Sequence, residues 1–314
     1  MTLLLQYTLI FASVLMLVAL GGCFAERSGV INIGLEGIMV IGALGGALML
    51  KFLPVTVGPL GMVLATVVVS ALFGMLFSLF LAVAAINFKA DQTITGTAMN
   101  MLATAGATVA VKAMNTALSH GSDVSSDIAY THSKDLLLVR LGNFEFNWYM
   151  LVAVICLAAA YIALYKTRFG LRLRACGEHP QAADSVGISV AKMRYAGVLI
   201  SGLLGGLGGI VYITAGVSVW KFENGVAGFG FLAMAVMIFG GWHPLRIALA
   251  SLLFGFCRAL GNVYSGFDLL VALNIPSVVY NMLPYIISLV VLAFTSKKSQ
   301  GPKAAGIPYD KGTR

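Results

Sequence analysis

Charged side chains are scarce in this sequence: Asp, Glu, Lys and Arg make up 10% of its 314 residues, whereas soluble domains carry about 25%. So few charges cannot cover a soluble core with a polar surface. The mean hydropathy of +0.93 and apolar segments of about 20 residues each indicate that lipid solvates much of the exterior. The segments are rich in Gly, Ala and Leu and do not alternate. The sequence therefore predicts an all-α integral membrane protein and excludes a barrel.

Motifs for catalysis and for ATP binding are also missing. No Gly is directly followed by Lys, which excludes a Gly-Lys-Ser/Thr phosphate loop, and neither His-Glu-x-x-His nor Gly-x-Ser-x-Gly occurs. The four Cys and four His residues are scattered without metal-ligand spacing. We therefore predict no catalytic residue, no metal and no cofactor, and an energy source that lies in another chain.

The apolar runs predict a bundle of about nine transmembrane helices, with eight to ten as the range. The expected spans are 5–23, 30–50, 60–86, 92–116, 148–165, 195–214, 227–241, 245–264 and 276–294. Residues 1–295 then form a single transmembrane domain, and residues 296–314 form a tail.

The net charge of +8 does not indicate nucleic-acid binding, because the basic residues lie in short loops between apolar spans. Lys and Arg are enriched in cytoplasmic loops. The basic loop 166–194 and the basic tail are accordingly predicted to be cytoplasmic, and the acidic loop 117–147 to lie outside. Counting helices backwards places the N-terminus outside.

An internal similarity suggests an inverted repeat. Gly29–Gly45 reads GVINIGLEGIMVIGALG, and Gly225–Gly241 reads GVAGFGFLAMAVMIFGG, with five identities at matched positions. The two segments fall in helices of opposite predicted direction, as in inverted-repeat transporters. Chance is the alternative, because the chain contains 36 Gly residues.

The fourth predicted helix carries a polar stripe, since its polar residues recur every three or four positions and share one helical face. The stripe consists of Thr93, Thr97, Asn100, Thr104, Thr108 and Lys112. It either lines a hydrated translocation path or hydrogen-bonds to neighbouring helices. For Lys112, which lies near the outer end, snorkelling to the interface is sufficient.

Asn32 and Glu36 lie one turn apart near the start of the second predicted helix. A carboxylate inside a membrane is costly unless it faces water, a cation or a hydrogen-bond donor. Asn32 and Glu36 are therefore candidates for the translocation path, where Glu36 forms a gate or contacts the substrate. The alternative is that Glu36 forms an ion pair or a helix-end hydrogen bond that holds the start of the second helix.

The basic loop 166–194 contains one short predicted helix. Pro180 suits a first helical turn, and the residues after it continue the helix until Gly187. Composition alone favours a loop that only sets topology.

Two stretches, Glu26–Gly46 and Gly170–Ser189, resemble permease subunits of bacterial ABC importers, in the family of ribose and branched-chain amino-acid permeases. The string Gly-Val-Ile-Asn-Ile-Gly-Leu-Glu-Gly is most similar to nucleoside-type permeases. The resemblance implies that the loop is a cytoplasmic coupling element that docks into an ATPase subunit. The matching positions are Arg174, Gly177, Glu178, Pro180, Ala182, Ala183 and Gly187, whereas His179 and His243 depart from the usual Asn.

The function implied by this resemblance is that of the permease subunit of an ATP-driven nucleoside importer in the bacterial inner membrane. The implied partners are a second permease subunit, ABC ATPase subunits and an extracytoplasmic solute-binding protein. Other substrates, a pentose or a branched-chain amino acid, are the first alternative. An ion-coupled secondary transporter and a non-transporting scaffold are the others.

Overall fold

The computed structural model describes residues 2–141, 144–215, 217–267, 276–295 and 301–311, and the chain in these ranges is predominantly helical. Its helices are α1 Thr2–Arg27, α2 Leu35–Phe52, α3 Gly58–Ala82, α4 Gln92–Leu118, α5 Thr131–Lys134, α6 Trp148–Tyr165, α7 Arg168–Glu178, α8 Pro180–Ser185, α9 Val190–Thr214, α10 Phe229–Phe239, α11 Pro244–Val263 and α12 Ser277–Thr295. Two short antiparallel pairs accompany them: β1 Asp127–Ala129 with β4 Val219–Lys221, and β2 Leu138–Leu141 with β3 Phe144–Asn147.

Within the described ranges, seven helices are long and apolar enough to cross a membrane, so the predicted class of a polytopic helical membrane protein is confirmed. Each of the nine predicted spans contains one helix. The helix in the seventh span, α10, has 11 residues and is about 16 Å long, roughly half of a hydrocarbon core.

Burial separates a central layer of helices from a peripheral one. In the most apolar part of α9, 78% of the residues are buried, against 28% in both α4 and α6. α9 packs against α1, α2 and α3, and α1 also packs against α10 and α11. The contact of α2 with α9 requires glycine, because a methyl group on Gly42 would collide with the backbone of Gly206.

Two helices begin inside the bundle rather than at its surface. The second predicted span starts at residue 30, but residues 28–34 are not helical and α2 starts at Leu35. This segment runs beside α9: Ser28 lies against Gly197, and Asn32 donates a hydrogen bond to Ser201. α10 likewise begins at Phe229, after the non-helical residues 225–228. The unwound entries place backbone polar groups among buried residues of the bundle.

The bundle has two distinct ends. The α8 end contains α7, α8, the turn 240–243 and the described residues of the predicted tail, 301–311. Residues 296–300 and 312–314 of that tail lie outside the described part. The sheet end contains the four strands and the start of α12.

Candidate functional site

The start of α10 is capped by a carboxylate from another helix. Glu36 Oε1 accepts a hydrogen bond from the backbone N–H of Gly228, and Glu36 Oε2 accepts one from Gly230, both at 2.7 Å. Ala227 and Gly228 have positive φ angles of 52° and 80°, a geometry that can turn successive N–H groups toward one anion. The carboxylate also complements the positive end of the helix dipole. Glu36 therefore caps α10, whereas the sequence hypothesis of a helix-end bond placed it at the start of α2.

The start of α2 is held in a similar way by an amide from α4. Asn100 Oδ1 accepts a hydrogen bond from the Gly37 N–H at 2.8 Å, and Asn100 Nδ2 donates to the carbonyl of Ile33 at 3.0 Å. Asn32, which is 1% exposed, donates to the Ser201 hydroxyl at 2.9 Å. Asn32 and Asn100 thus fix the unwound segment 28–34 between α4 and α9.

The remaining polar stripe of α4 runs toward the sheet end. Thr93 and Thr97 are exposed, and Thr104 is half-buried near Gly225. At the far end, Lys112 forms an ion pair of 2.6 Å with Glu223, so it has a specific partner in addition to any snorkelling. A hydrogen bond from Lys112, supported by its charge, lowers the pKa of Glu223.

Three of the seven residues of the predicted coupling element, Gly177, Pro180 and Ala183, are buried within the protein itself. Gly177 packs on the carbonyl of Arg27, where a Cβ atom has no space. Pro180 and Ala183 are buried, and Ala183 packs with Cys176 and Val190. These small or rigid side chains let α7 and α8 lie close to the ends of α1 and α9.

The other members of the element stabilise its shape or face solvent. The Arg174 guanidinium lies 4.6 Å from the centre of the Tyr165 ring, and Glu178 pairs with Arg27 at 3.6 Å. Gly187 ends the α8 turn with a φ angle of 82°. Ala182 is exposed, so among the predicted coupling residues on α8 it is the one that can meet another protein.

A buried polar cluster lies at the end of α1, and no pattern in the sequence predicts it. The first predicted span ends at residue 23, but α1 continues to Arg27 and brings Glu26 inside a spanning helix. The Glu26 carboxylate accepts a hydrogen bond from the Trp242 indole at 2.6 Å. The Trp242 carbonyl in turn accepts bonds from Cys23 and from Arg27. This cluster ties α1 to the turn between α10 and α11.

Comparison with known proteins gives consistent matches over nearly the whole chain. Residues 4–294 match the family described as branched-chain amino acid transport system / permease component. The chain is 42% identical to the guanosine ABC transporter permease protein NupQ of Bacillus subtilis (strain 168), over 98% of this chain and 96% of that protein. It is 39% identical to the nucleoside ABC transporter permease protein NupC of Lactococcus lactis subsp. cremoris (strain MG1363), over 96% and 95%.

A third relative carries a different substrate name. The putative glucose ABC transporter permease protein TsgC13 of Haloferax volcanii is 30% identical, over 82% of this chain and 76% of that protein. The similarity to permeases therefore extends beyond the two relatives named for nucleosides.

Proposed function

The chain belongs to the family of branched-chain amino acid transport system permease components, and we propose that it is the translocation-pathway subunit of an ATP-driven nucleoside importer. The observation that carries the substrate class is its similarity to relatives named for guanosine and for nucleosides, which covers at least 95% of each chain. As an ABC permease component it works with separate ATPase subunits and a solute-binding protein.

The two interrupted helices support alternating access in this chain. α2 and α10 begin inside the bundle after unwound segments, and Glu36 of the first caps the second. Broken helices at mid-membrane are typical of transporters, since their free backbone groups face a central site. Movement of α8 by the ATPase would shift α1 and the turn after α10, and the bundle would change which side its path faces.

The proposed inverted repeat, with nine spanning helices, is supported by the packing pattern. α1 packs on α11 as α9 packs on α3, and α2 packs on α9 as α10 packs on α1. The helices α1 to α4 then correspond to α9 to α12. The sequence match of Gly29–Gly45 with Gly225–Gly241 also makes α2 the equivalent of α10.

We assign α4 to the interface with a second permease subunit of the same family. α4 is the least apolar of the seven candidate spans and only 28% buried, and Thr93 and Thr97 point away from its own bundle. An adjoining groove of about 920 Å³ between α3 and α4 has an almost entirely apolar lining. Polar threonines beside an apolar groove fit a subunit interface that borders a hydrated path better than they fit lipid.

Charge distribution supports the proposed orientation, with the α8 end in the cytoplasm and the N-terminus outside. The α8 end carries Arg27, Lys89, Lys166, Arg168, Arg172, Arg174, Lys192, Arg194, Arg246, Lys303 and Lys311. The sheet end carries Lys51, Lys112, Lys221 and Arg258 among the residues whose side chains are described.

Cysteine labelling tests this orientation. Ser122, at the sheet end, and Ser185, on α8, are both exposed. In a background lacking the native cysteines, we expect a cysteine at Ser122 to react with an impermeant thiol reagent added outside spheroplasts. A cysteine at Ser185 should react only after permeabilisation. Reaction of Ser185→Cys without permeabilisation would reverse the orientation.

Two substitutions on α4 separate its structural role from its path-lining role. We expect Asn100→Leu to destabilise the detergent-purified complex, because it leaves the Gly37 N–H and the Ile33 carbonyl without partners, at about 1–3 kcal/mol each. Thr97→Leu should leave the melting temperature unchanged, because within the described ranges the Thr97 hydroxyl bonds to the Thr93 carbonyl of its own helix and to no other group. The bulk of leucine in the path should reduce uptake. Wild-type uptake by Thr97→Leu would show that this stripe does not line the path.

A competition experiment tests the substrate class. Uptake of radiolabelled guanosine by cells that carry the chain and its partner subunits should be blocked by excess nucleoside. Ribose, leucine and glucose should have no effect. The name of the Haloferax volcanii relative makes a sugar the second candidate, and glucose uptake without guanosine uptake would establish that alternative.

A further inference from the structure

The described end of the chain, residues 301–311, lies across the α8 end as an ordered segment, which we call the C-terminal strap. The Ala304 N–H donates a hydrogen bond to the carbonyl of Gly177 at 2.9 Å, and the Lys303 N–H lies 3.5 Å from Glu178 Oε2. Both acceptors belong to the last turn of α7. Pro302 and Ala304 are buried by this contact.

The strap also completes a buried site around α9. Arg194 is 1% exposed, and its Nη1 donates to the carbonyl of Ile307 in the strap at 3.0 Å. A buried guanidinium is costly without acceptors, and within the described ranges its Nε and Nη2 have no other hydrogen-bond partner. Tyr309 packs against the small cluster of Cys176, Ala183 and Val190. The strap therefore covers the inward side of α8 and its junction with α9.

Other strap residues contact the segments next to the two interrupted helices: the entry to α2 and the turn after α10. Gly301 lies against the Trp242 ring, and Gly306 lies on Ile31 in the unwound entry to α2. Trp242 belongs to the turn after α10 and bonds to Glu26 at the end of α1. One short segment thus contacts α7, α8, α9, the entry to α2 and the exit of α10.

The strap supports α8, which is too short to be stable alone. A helix of six residues is unstable in isolation, because helices below about 12 residues are marginal in water. It can transmit a push only if its inward side is held by the rest of the protein. The strap sequence favours fixed turns, with Pro302 and Pro308 flanking Gly306 at a φ angle of 79°, and this lowers the entropy lost on docking.

We propose that the C-terminal strap is a positioning element of energy coupling: it fixes α7 and α8 to the ends of α1, α9 and α10, so that a displacement of α8 by the ATPase moves those helices. The proposal rests on the proposed function of the chain as an ABC permease. It assigns a role to Ala304, Ile307 and Tyr309, which lie outside the helical bundle.

Truncation before Gly301, in an otherwise complete importer, tests the proposal. The truncated complex should still hydrolyse ATP, but uptake per ATP hydrolysed should fall at least about tenfold, because α8 then moves without carrying the bundle. As a structural readout, Cys176, which is fully buried under the strap, should become reactive toward a maleimide in a background where the other cysteines are replaced. Wild-type uptake per ATP together with a reactive Cys176 would overturn the proposal.

A pair of point variants covers the case in which the truncated chain does not assemble. Tyr309→Ala removes the strap ring from the cluster around Ala183, and it should reduce uptake per ATP severalfold. Asp310→Asn is the matched control, because its partner Lys89 is at the surface and both side chains are about half-exposed. Equal coupling in both variants and the wild type would refute the strap's role. Wild-type guanosine uptake is measured in parallel. If the wild-type complex transports and the variants couple equally well, the strap proposal fails while the proposed function stands.

Discussion

Replacing Glu36 with leucine will abolish uptake, and replacing it with glutamine will retain part of it. The carboxylate accepts two backbone hydrogen bonds at 2.7 Å from the start of α10. Hydrogen bonds to charged groups contribute about 1.5–3 kcal/mol each. Leucine removes both acceptors inside the bundle, which costs about 3 kcal/mol or more, equivalent to about 100-fold in an equilibrium. Glutamine keeps one acceptor oxygen, so we expect a loss of about tenfold.

Uptake and assembly must be measured on the same preparations of the Glu36 variants. Assembly is monitored by size-exclusion chromatography of the detergent-purified complex. Uptake is measured as radiolabelled guanosine accumulated in proteoliposomes. The order wild type, then Gln, then Leu supports a cap whose strength matters for transport. Wild-type uptake by Glu36→Leu would show that the start of α10 needs no anionic partner.

Replacing Ala182 with arginine will uncouple the chain from its ATPase. Ala182 is exposed on α8, whereas its neighbour Ala183 is buried against the strap and α9. Arginine at position 182 would place a long charged side chain in the docking interface, and an uncompensated buried charge costs about 3–5 kcal/mol. We expect both substrate-stimulated ATP hydrolysis and uptake to fall more than about 100-fold, with membrane insertion intact.

Two further variants identify which surface of α8 is responsible. Ala191→Arg adds the same side chain to an exposed position in the first turn of α9, and we expect nearly full activity. Ala183→Arg should instead lower the stability of the permease itself, because the side chain points into its own packing. If Ala182→Arg behaves like Ala191→Arg, α8 is not the docking helix, and the loop 166–194 serves only to set topology.

Features with a local physical cause could be predicted from the sequence. Apolar runs located the seven helices of membrane-spanning length and the two shorter apolar helices within the described ranges, because lipid requires each span to satisfy its own backbone. The short helix α8 was predicted from Pro180 at its start and Gly187 beyond its end, and the observed Pro180–Ser185 confirms it. The loop 166–194 and the described residues 301–311 of the tail lie at one end of the bundle, as their shared basic character predicts, and the side of the membrane on which that end lies stays a prediction.

Features that depend on distant partners could not be predicted. The partners of Glu36 lie more than 190 residues away, so no local pattern distinguishes a cap for α10 from one for α2. The strap looks like a solvated tail in the sequence, since its Gly, Pro and Lys residues have no periodicity. Its order arises from the Gly177 carbonyl and from Arg194, which become available only once the bundle has formed.

The central claim is that this chain transports nucleosides with energy from a separate ATPase. Its most direct test is guanosine uptake into proteoliposomes that contain this chain, its partner permease, the ATPase subunits and the solute-binding protein. Uptake should require ATP on the ATPase side, should stop when the ATPase cannot hydrolyse ATP, and should be unaffected by ionophores that dissipate proton and sodium gradients. Guanosine uptake by this chain alone, driven by an ion gradient without ATP, would contradict the account.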